Sequence, residues 1–207
     1  MCQKKIQRGG TCMKKWISAI CILAVTLLSV GCGSSFDPSV SSIYIHKNGE
    51  ITEAVVESFI KDYYSFDEFQ SMIEREISTY NQGFDREEIS LKSLEMKNDT
   101  IYLQLNYADA ESYSKYNEVY CFQGSIDDAL SEGRSFDMTF KDADYQEYTT
   151  TEVTEKTSDP VLVLKSECVV VTEQPIKYVS NNVEILGSHT AEVMPIDDEA
   201  EYAYIIY

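Results

Sequence analysis

The chain has 207 residues, with 17 Lys and Arg against 35 Asp and Glu and a formal net charge of −18. That length supports one good core or two small lobes. The charge repels nucleic acid phosphates and anionic lipid headgroups, which excludes nucleic acid as a partner and predicts a folded part that stands off a bilayer.

From Met13 the sequence reads MKKWISAICILAVTLLSVGC. Lys14 and Lys15 form a basic head, Trp16 to Val30 is a 15-residue apolar run, and the small Gly31 precedes Cys32. A membrane-spanning helix needs about 20 apolar residues, so the run suits a signal-peptide core, with Met13 as the expected start and residues 1–31 as the expected leader. Leu28-Ser29-Val30-Gly31-Cys32 resembles the lipobox of bacterial lipoproteins, with Ser29 where leucine is usual. The resemblance implies that the Cys32 thiol takes a diacylglycerol, that cleavage makes Cys32 the first mature residue, and that acyl chains of the palmitate kind anchor the protein on the extracytoplasmic side of the cell membrane. Two chains anchor stably where one is marginal.

Residues 1–31 hold five bases and no acid, so their removal leaves 12 bases against 35 acids, a formal −23 over 176 residues. Trp16 is the only tryptophan, so the mature chain lacks the indole platforms common in sugar-binding surfaces. Cys2, Cys12 and Cys21 leave with the leader, and Cys121 and Cys168 remain beside Cys32. Outside the membrane a Cys121–Cys168 disulfide is allowed; buried thiols are the alternative.

Gly33 to Ser41, GSSFDPSVS, reads as an irregular tether behind the lipidated cysteine, so that residues 32–41 link the anchor to one α+β domain over 42–207. Ile43 to Ile51 reads as a hairpin around Asn48-Gly49, with a two-residue type I′ turn that sets Ile45 against Thr52 and puts Ile43, Ile45, Ala54 and Val56 on one buried face. A helix is expected over about 66–81. Ser65 and Glu68 form its capping box, Tyr64 and Phe69 a hydrophobic staple, and Phe66, Phe69, Met72, Ile73, Ile77 and Tyr80 its apolar stripe, with Gly83 as the stop. A second hairpin turns at Asn98-Asp99, and a bulge is expected near Ser93, where the apolar phase slips by one residue. Short helices follow near 110–115, capped by Asp109, and 126–132, capped by Ser125 with Asp128, with a strand between them.

The Thr- and acid-rich stretch 141–160 reads as an exposed hairpin or as a boundary between two lobes. Beyond it, runs beginning at Val161, Val169, Ile176, Val183, Thr190 and Tyr202 are short and rich in Val, Ile and Tyr, which predicts a β-rich C-terminal part. The fold class expected is α+β, an antiparallel sheet carrying one main amphipathic helix. The stretches SSIYIHKNGEITEAVVESFIKDYY and IKYVSNNVEIL resemble small surface lipoproteins of Gram-positive gut anaerobes. That resemblance implies an outer-surface location and no particular chemistry.

Catalytic motifs are scarce. His46 and His189 are the two histidines, each beside a turn, and neither stands near a nucleophile motif such as GxSxG. No HExxH or CxxC spacing is present, so no metal and no cofactor are expected. Asp142 with Asp144, and the run Asp197, Asp198, Glu199 and Glu201, could gather cations, but they lack the EF-hand spacing and read as solvated surface. The sequence therefore favours a non-catalytic binding or envelope-accessory lipoprotein, with a protein or cell-wall partner. An envelope hydrolase acting through carboxylates is the alternative.

Overall fold

The computed structural model describes residues 36–60, 65–194 and 202–207. In chain order the elements are β1 (Ser42–Ile45), β2 (Ile51–Ser58), α1 (Phe66–Asn81), β3 (Ile89–Lys97), β4 (Thr100–Tyr107), α2 (Ala110–Asn117), β5 (Tyr120–Ser125) and α3 (Ile126–Ser131). There follow β6 (Phe140–Lys141), β7 (Glu147–Tyr148), α4 (Thr150–Val153), β8 (Pro160–Lys165), β9 (Val169–Thr172), β10 (Tyr178–Ser180), β11 (Val183–Gly187), β12 (Thr190–Val193) and β13 (Ala203–Ile206). The fold is broadly α+β and mostly strand, in two sheets. One has the order β11-β12-β9-β1-β2-β4-β3 and the other β5-β8-β13-β10-β6-β7. Neighbours are antiparallel except β1 and β9, which run parallel. No helix among the described residues is long and apolar enough to cross a membrane.

The central strands β8 and β13 of the six-stranded sheet are buried on both faces. Leu162, Leu164, Ala203 and Ile205 point into a core shared with Ile43, Ile45, Leu105 and Val170 of the larger sheet. Val161, Val163, Tyr204 and Ile206 point the other way, into a second core with Ile126, Phe136, Phe140 and Val153. A strand apolar on both faces reads as an unbroken run rather than an alternating one, and β8 reads VLVL at its centre, all buried. Complete burial of a Val or Leu is worth about 1.5–3 kcal/mol over exposure, so this sheet holds a large share of the stability. The segment 141–160 contributes to the second core: Lys141 pairs with Val179, Tyr148 packs against the core, and Val153 of α4 is buried in it.

The first hairpin differs from expectation by one residue. Ile45 pairs with Ile51, and Ile43 with Glu53. Gly49 N–H donates to the His46 carbonyl, His46 N–H donates to Glu50, and Gly49 alone in the loop takes a positive φ, +95°. This is a type I turn closed by a glycine bulge, a three-residue solution rather than a type I′ turn. Asn48 stays out of the left-handed region, and its Oδ1 accepts from Glu50 N–H (3.1 Å). A slip of one residue exchanges the faces of a strand. The inward residues of β2 are therefore Ile51, Glu53 and Val55, while Ala54 and Val56 lie on the opposite face, where Ala54 is still buried.

The second hairpin turns at Asn98 and Asp99, both with positive φ, and its ladder shifts between Leu91 and Ser93. In α1, Ser65 Oγ accepts from Glu68 N–H (3.4 Å), Ile73 and Ile77 are buried, and the C-cap is Gln82 in right-handed conformation rather than a left-handed glycine. Tyr64, half of the expected staple, lies outside the described residues. The second helix continues to Asn117, two residues past the expected 110–115, and Glu118 ends it with φ +57°. The third ends at Ser131, one residue short of 132, with the Ser125–Asp128 capping box in place.

The expected tether is shorter than its composition suggests. Pro38 is buried, the Phe36 carbonyl accepts from Gln104 Nε2 (3.0 Å), and the Phe36 ring lies 5.2 Å from that of Tyr44. Ser41 Oγ accepts from Val56 N–H (2.9 Å). Two apolar side chains find the outer face of the larger sheet, so residues 36–41 belong to the domain.

Candidate functional site

The register of the first hairpin places a carboxylate where apolar side chains belong. Glu53 stands between Ile43 on β1 and Leu105 on β4, on the inward face of the larger sheet. Tyr107 Oη donates to Glu53 Oε2 (2.5 Å), and Asn117 Nδ2 donates to Tyr107 Oη (3.2 Å) and reaches the same carboxylate oxygen (3.5 Å). Tyr107 is fully buried, with Tyr113 edge-on at 5.2 Å and Tyr116 at 5.9 Å. Tyr113, Tyr116 and Asn117 share one face of α2 through their i, i+3, i+4 spacing. Burial raises the Glu53 pKa, and the bonds from Tyr107 and Asn117 only partly offset it. Burial and the Glu53 charge push the Tyr107 hydroxyl well above 10.

A surface network holds α2 in place. Arg86 donates through Nε to Glu88 Oε1 (2.8 Å) and through Nη2 to Asp109 Oδ2 (2.5 Å). Ser112 Oγ donates to Glu88 Oε2 (2.5 Å), and Asp109 Oδ1 accepts from Ser112 N–H (2.8 Å) as the N-cap. The Arg86 and Ser112 hydrogen bonds hold Glu88 below the usual carboxylate range. At Asp109 burial pushes upward, but the Ser112 and Arg86 bonds outweigh it and the pKa is lowered.

The residues singled out from sequence do not converge. Cys32 and the run Asp197, Asp198, Glu199 and Glu201 lie outside the described residues. Cys121 is buried in β5 and Cys168 half-buried before β9; both pack against the larger core and no disulfide joins them. Burial pushes the Cys121 thiol up, which disfavours the reactive thiolate. His46 is not an exposed turn residue: its Nε2 is 2.9 Å from Thr52 Oγ1, which donates to Asn106 Oδ1 (2.8 Å), and burial lowers its pKa. His189 is likewise half-buried, with Nδ1 2.9 Å from the Thr172 carbonyl. Asp142 and Asp144 do not alternate on a strand. Asp142 organises the β6–β7 turn, accepting from Asp144 N–H (2.9 Å), Gln146 N–H (3.0 Å) and Tyr148 Oη (2.9 Å). Among the described residues no group of three or more His, Cys, Asp or Glu could hold a metal ion.

A groove of about 480 Å³ runs between α1 and β3, lined by Glu74, Ser78, Asn81 and Glu87 among others. Asn81 is already committed, donating to the Ile89 carbonyl and accepting from Glu88 and Ile89 N–H. The Glu53 cluster lies between β1, β4 and α2, with Tyr107 buried and Glu53 and Asn117 half-buried, and no other carboxylate acts on Glu53. Its chemistry is that of a polar brace inside a core. Sequence reading missed Glu53 because its face depends on the turn type; the glycine bulge was the signal that could have revealed it. No family model, no curated protein and no solved structure matches the chain.

Proposed function

We propose that the chain is a lipid-anchored, extracytoplasmic binding or envelope-accessory module without catalytic activity. The reading is carried by one relationship: the apolar run from Trp16 ends at Cys32, four residues before Phe36 docks on the larger sheet. Four extended residues span at most about 14 Å, so a lipid on Cys32 holds the domain within that distance of the membrane surface. The formal −23 of the mature chain keeps that domain soluble and away from anionic headgroups. A two-carboxylate hydrolase needs paired acids across an open cleft, whereas Glu53 is a single acid turned into the core.

The test is Cys32→Ala, with fractionation of the cells and mass measurement of the N-terminal peptide. Loss of the diacylglycerol mass and release from the membrane fraction are expected. A variant that stays membrane-bound sinks the anchoring.

A further inference from the structure

Tyr120 on β5 pairs directly with Lys165 on β8. On the other side of β8, Ala203 pairs with Leu164, which brings Tyr202 beside Lys165. Tyr120, Lys165 and Tyr202 therefore form a row across three strands, on the face of the second core. The two rings meet edge-on at 5.0 Å. Arg134 is delivered above them by the end of α3, where Gly133 takes φ +78° and Arg134 N–H donates to the Ala129 carbonyl (2.9 Å). Its guanidinium lies 4.3 Å from the Tyr120 ring and 5.2 Å from Tyr202, and Lys165 Nζ lies 5.6 Å from Tyr202.

The charges around this row are unusual for so acidic a protein. Arg86, Lys97, Lys115, Lys141 and Lys177 all contact carboxylates. Lys47, Arg75, Lys92 and Lys156 make no ion pair among the described residues, but they are exposed to water. Arg134 and Lys165 are half-buried, have no carboxylate partner among the described residues, and stand over the same ring. The Arg134 Nε and the Tyr120 Oη are buried with no hydrogen-bond partner. A partly desolvated cation ordinarily finds an anion, and these two have none among the described residues.

We propose that Arg134, Lys165, Tyr120 and Tyr202 form a binding site for a ligand that presents a single carboxylate. The terminal guanidinium nitrogens form a planar fork that matches a carboxylate, Lys165 adds a second positive charge, and the rings supply apolar walls. The negative field of the chain selects against multiply charged anions such as phosphate. The proposal rests on reading the chain as a binding module and names what it binds.

The mature chain has three arginines, Arg75, Arg86 and Arg134, so an arginine-selective ¹⁵N label gives a simple side-chain spectrum. The lipidated mature chain, in a zwitterionic detergent at constant ionic strength, is titrated with acetate, with N-acetylalanine as a peptide C-terminus, and with inorganic phosphate. A saturable shift of the Arg134 Nε–H with a carboxylate is expected, while Arg75 stays still. N-acetylalanine binding more tightly than acetate identifies a peptide terminus; equal binding identifies a small free acid. Lys165→Met should weaken the response several-fold, and it preserves the assay if Arg134→Met does not fold. No saturable shift, a stronger shift with phosphate, or no loss in Lys165→Met overturns the proposal. The titration reads Arg134 whether or not Cys32 carries lipid, so this site and the anchor fail separately.

Discussion

Tyr107 donates a hydrogen bond to Glu53 at 2.5 Å on the inward face of the larger sheet, where every flanking cross-strand neighbour is apolar. The carboxylate is held there against the cost of leaving water, and its pKa is raised accordingly. A carboxyl with a raised folded pKa contributes its stability fully below the unfolded value, near 4.5, and loses it as pH rises through the folded value. Glu53→Gln keeps an acceptor for Tyr107 and cannot titrate. It should unfold at a higher temperature than wild type at pH 7.5, and the advantage should disappear by about pH 4, below the unfolded value. Equal destabilisation at both values would show that the carboxylate is not strained. Glu53→Ala leaves the buried Tyr107 hydroxyl without its acceptor and should cost about 1–3 kcal/mol.

Arg86 ties the start of β3 to the N-cap of α2 through Glu88 and Asp109. Both carboxylates are held below their usual range. Their contribution is therefore present above about pH 4.5 and lost as pH falls through the lowered folded values. Arg86→Met should flatten that acid limb: urea midpoints at pH 6 and pH 3 should lie closer together than in wild type. An unchanged difference would mean that the network contributes nothing to α2.

Gly49 carries φ +95°, and a Cβ there would meet nothing within 4 Å. The cost of Gly49→Ala is thus conformational only, about 1–3 kcal/mol, with no steric part. Chemical denaturation measures it, and a neutral result would argue against the glycine-bulge turn. Since that turn sets which face Glu53 occupies, the variant also tests the register.

Cys121 is buried among apolar side chains, and Cys168 is half-buried. In the reduced native protein, iodoacetamide should label Cys168 first and reach Cys121 only on unfolding, as mass spectrometry of the digested chain would show. Early labelling of Cys121 would contradict its burial. Cys121→Ser places a hydroxyl in the apolar core and should cost about 1–3 kcal/mol.

Much of the architecture is local chemistry and can be read from the chain. Asn98-Asp99 turns because both residues tolerate left-handed backbone. Ser125 with Asp128 caps a helix through reciprocal bonds three residues apart. The phase slip of apolar residues around Lys92 marks the bulge between Leu91 and Ser93. The candidate sites are different. Glu53, Tyr107 and Asn117 come from β2, β4 and α2, and Tyr120, Arg134, Lys165 and Tyr202 span more than eighty residues of chain. No short spacing records either cluster.

The sequence by itself determined the acidity, the signal-like run ending in Cys32, and the alternation of short strands with capped helices. Each depends on residues within a few positions of one another. Tertiary structure alone decided that residues 36–41 join the domain, that a one-residue register turns Glu53 inward, and that two bases without carboxylate partners among the described residues meet over Tyr202. Those outcomes depend on which strands become neighbours. That choice is made by the burial of apolar faces across the whole chain, and side chains on the remaining faces are brought together as its consequence.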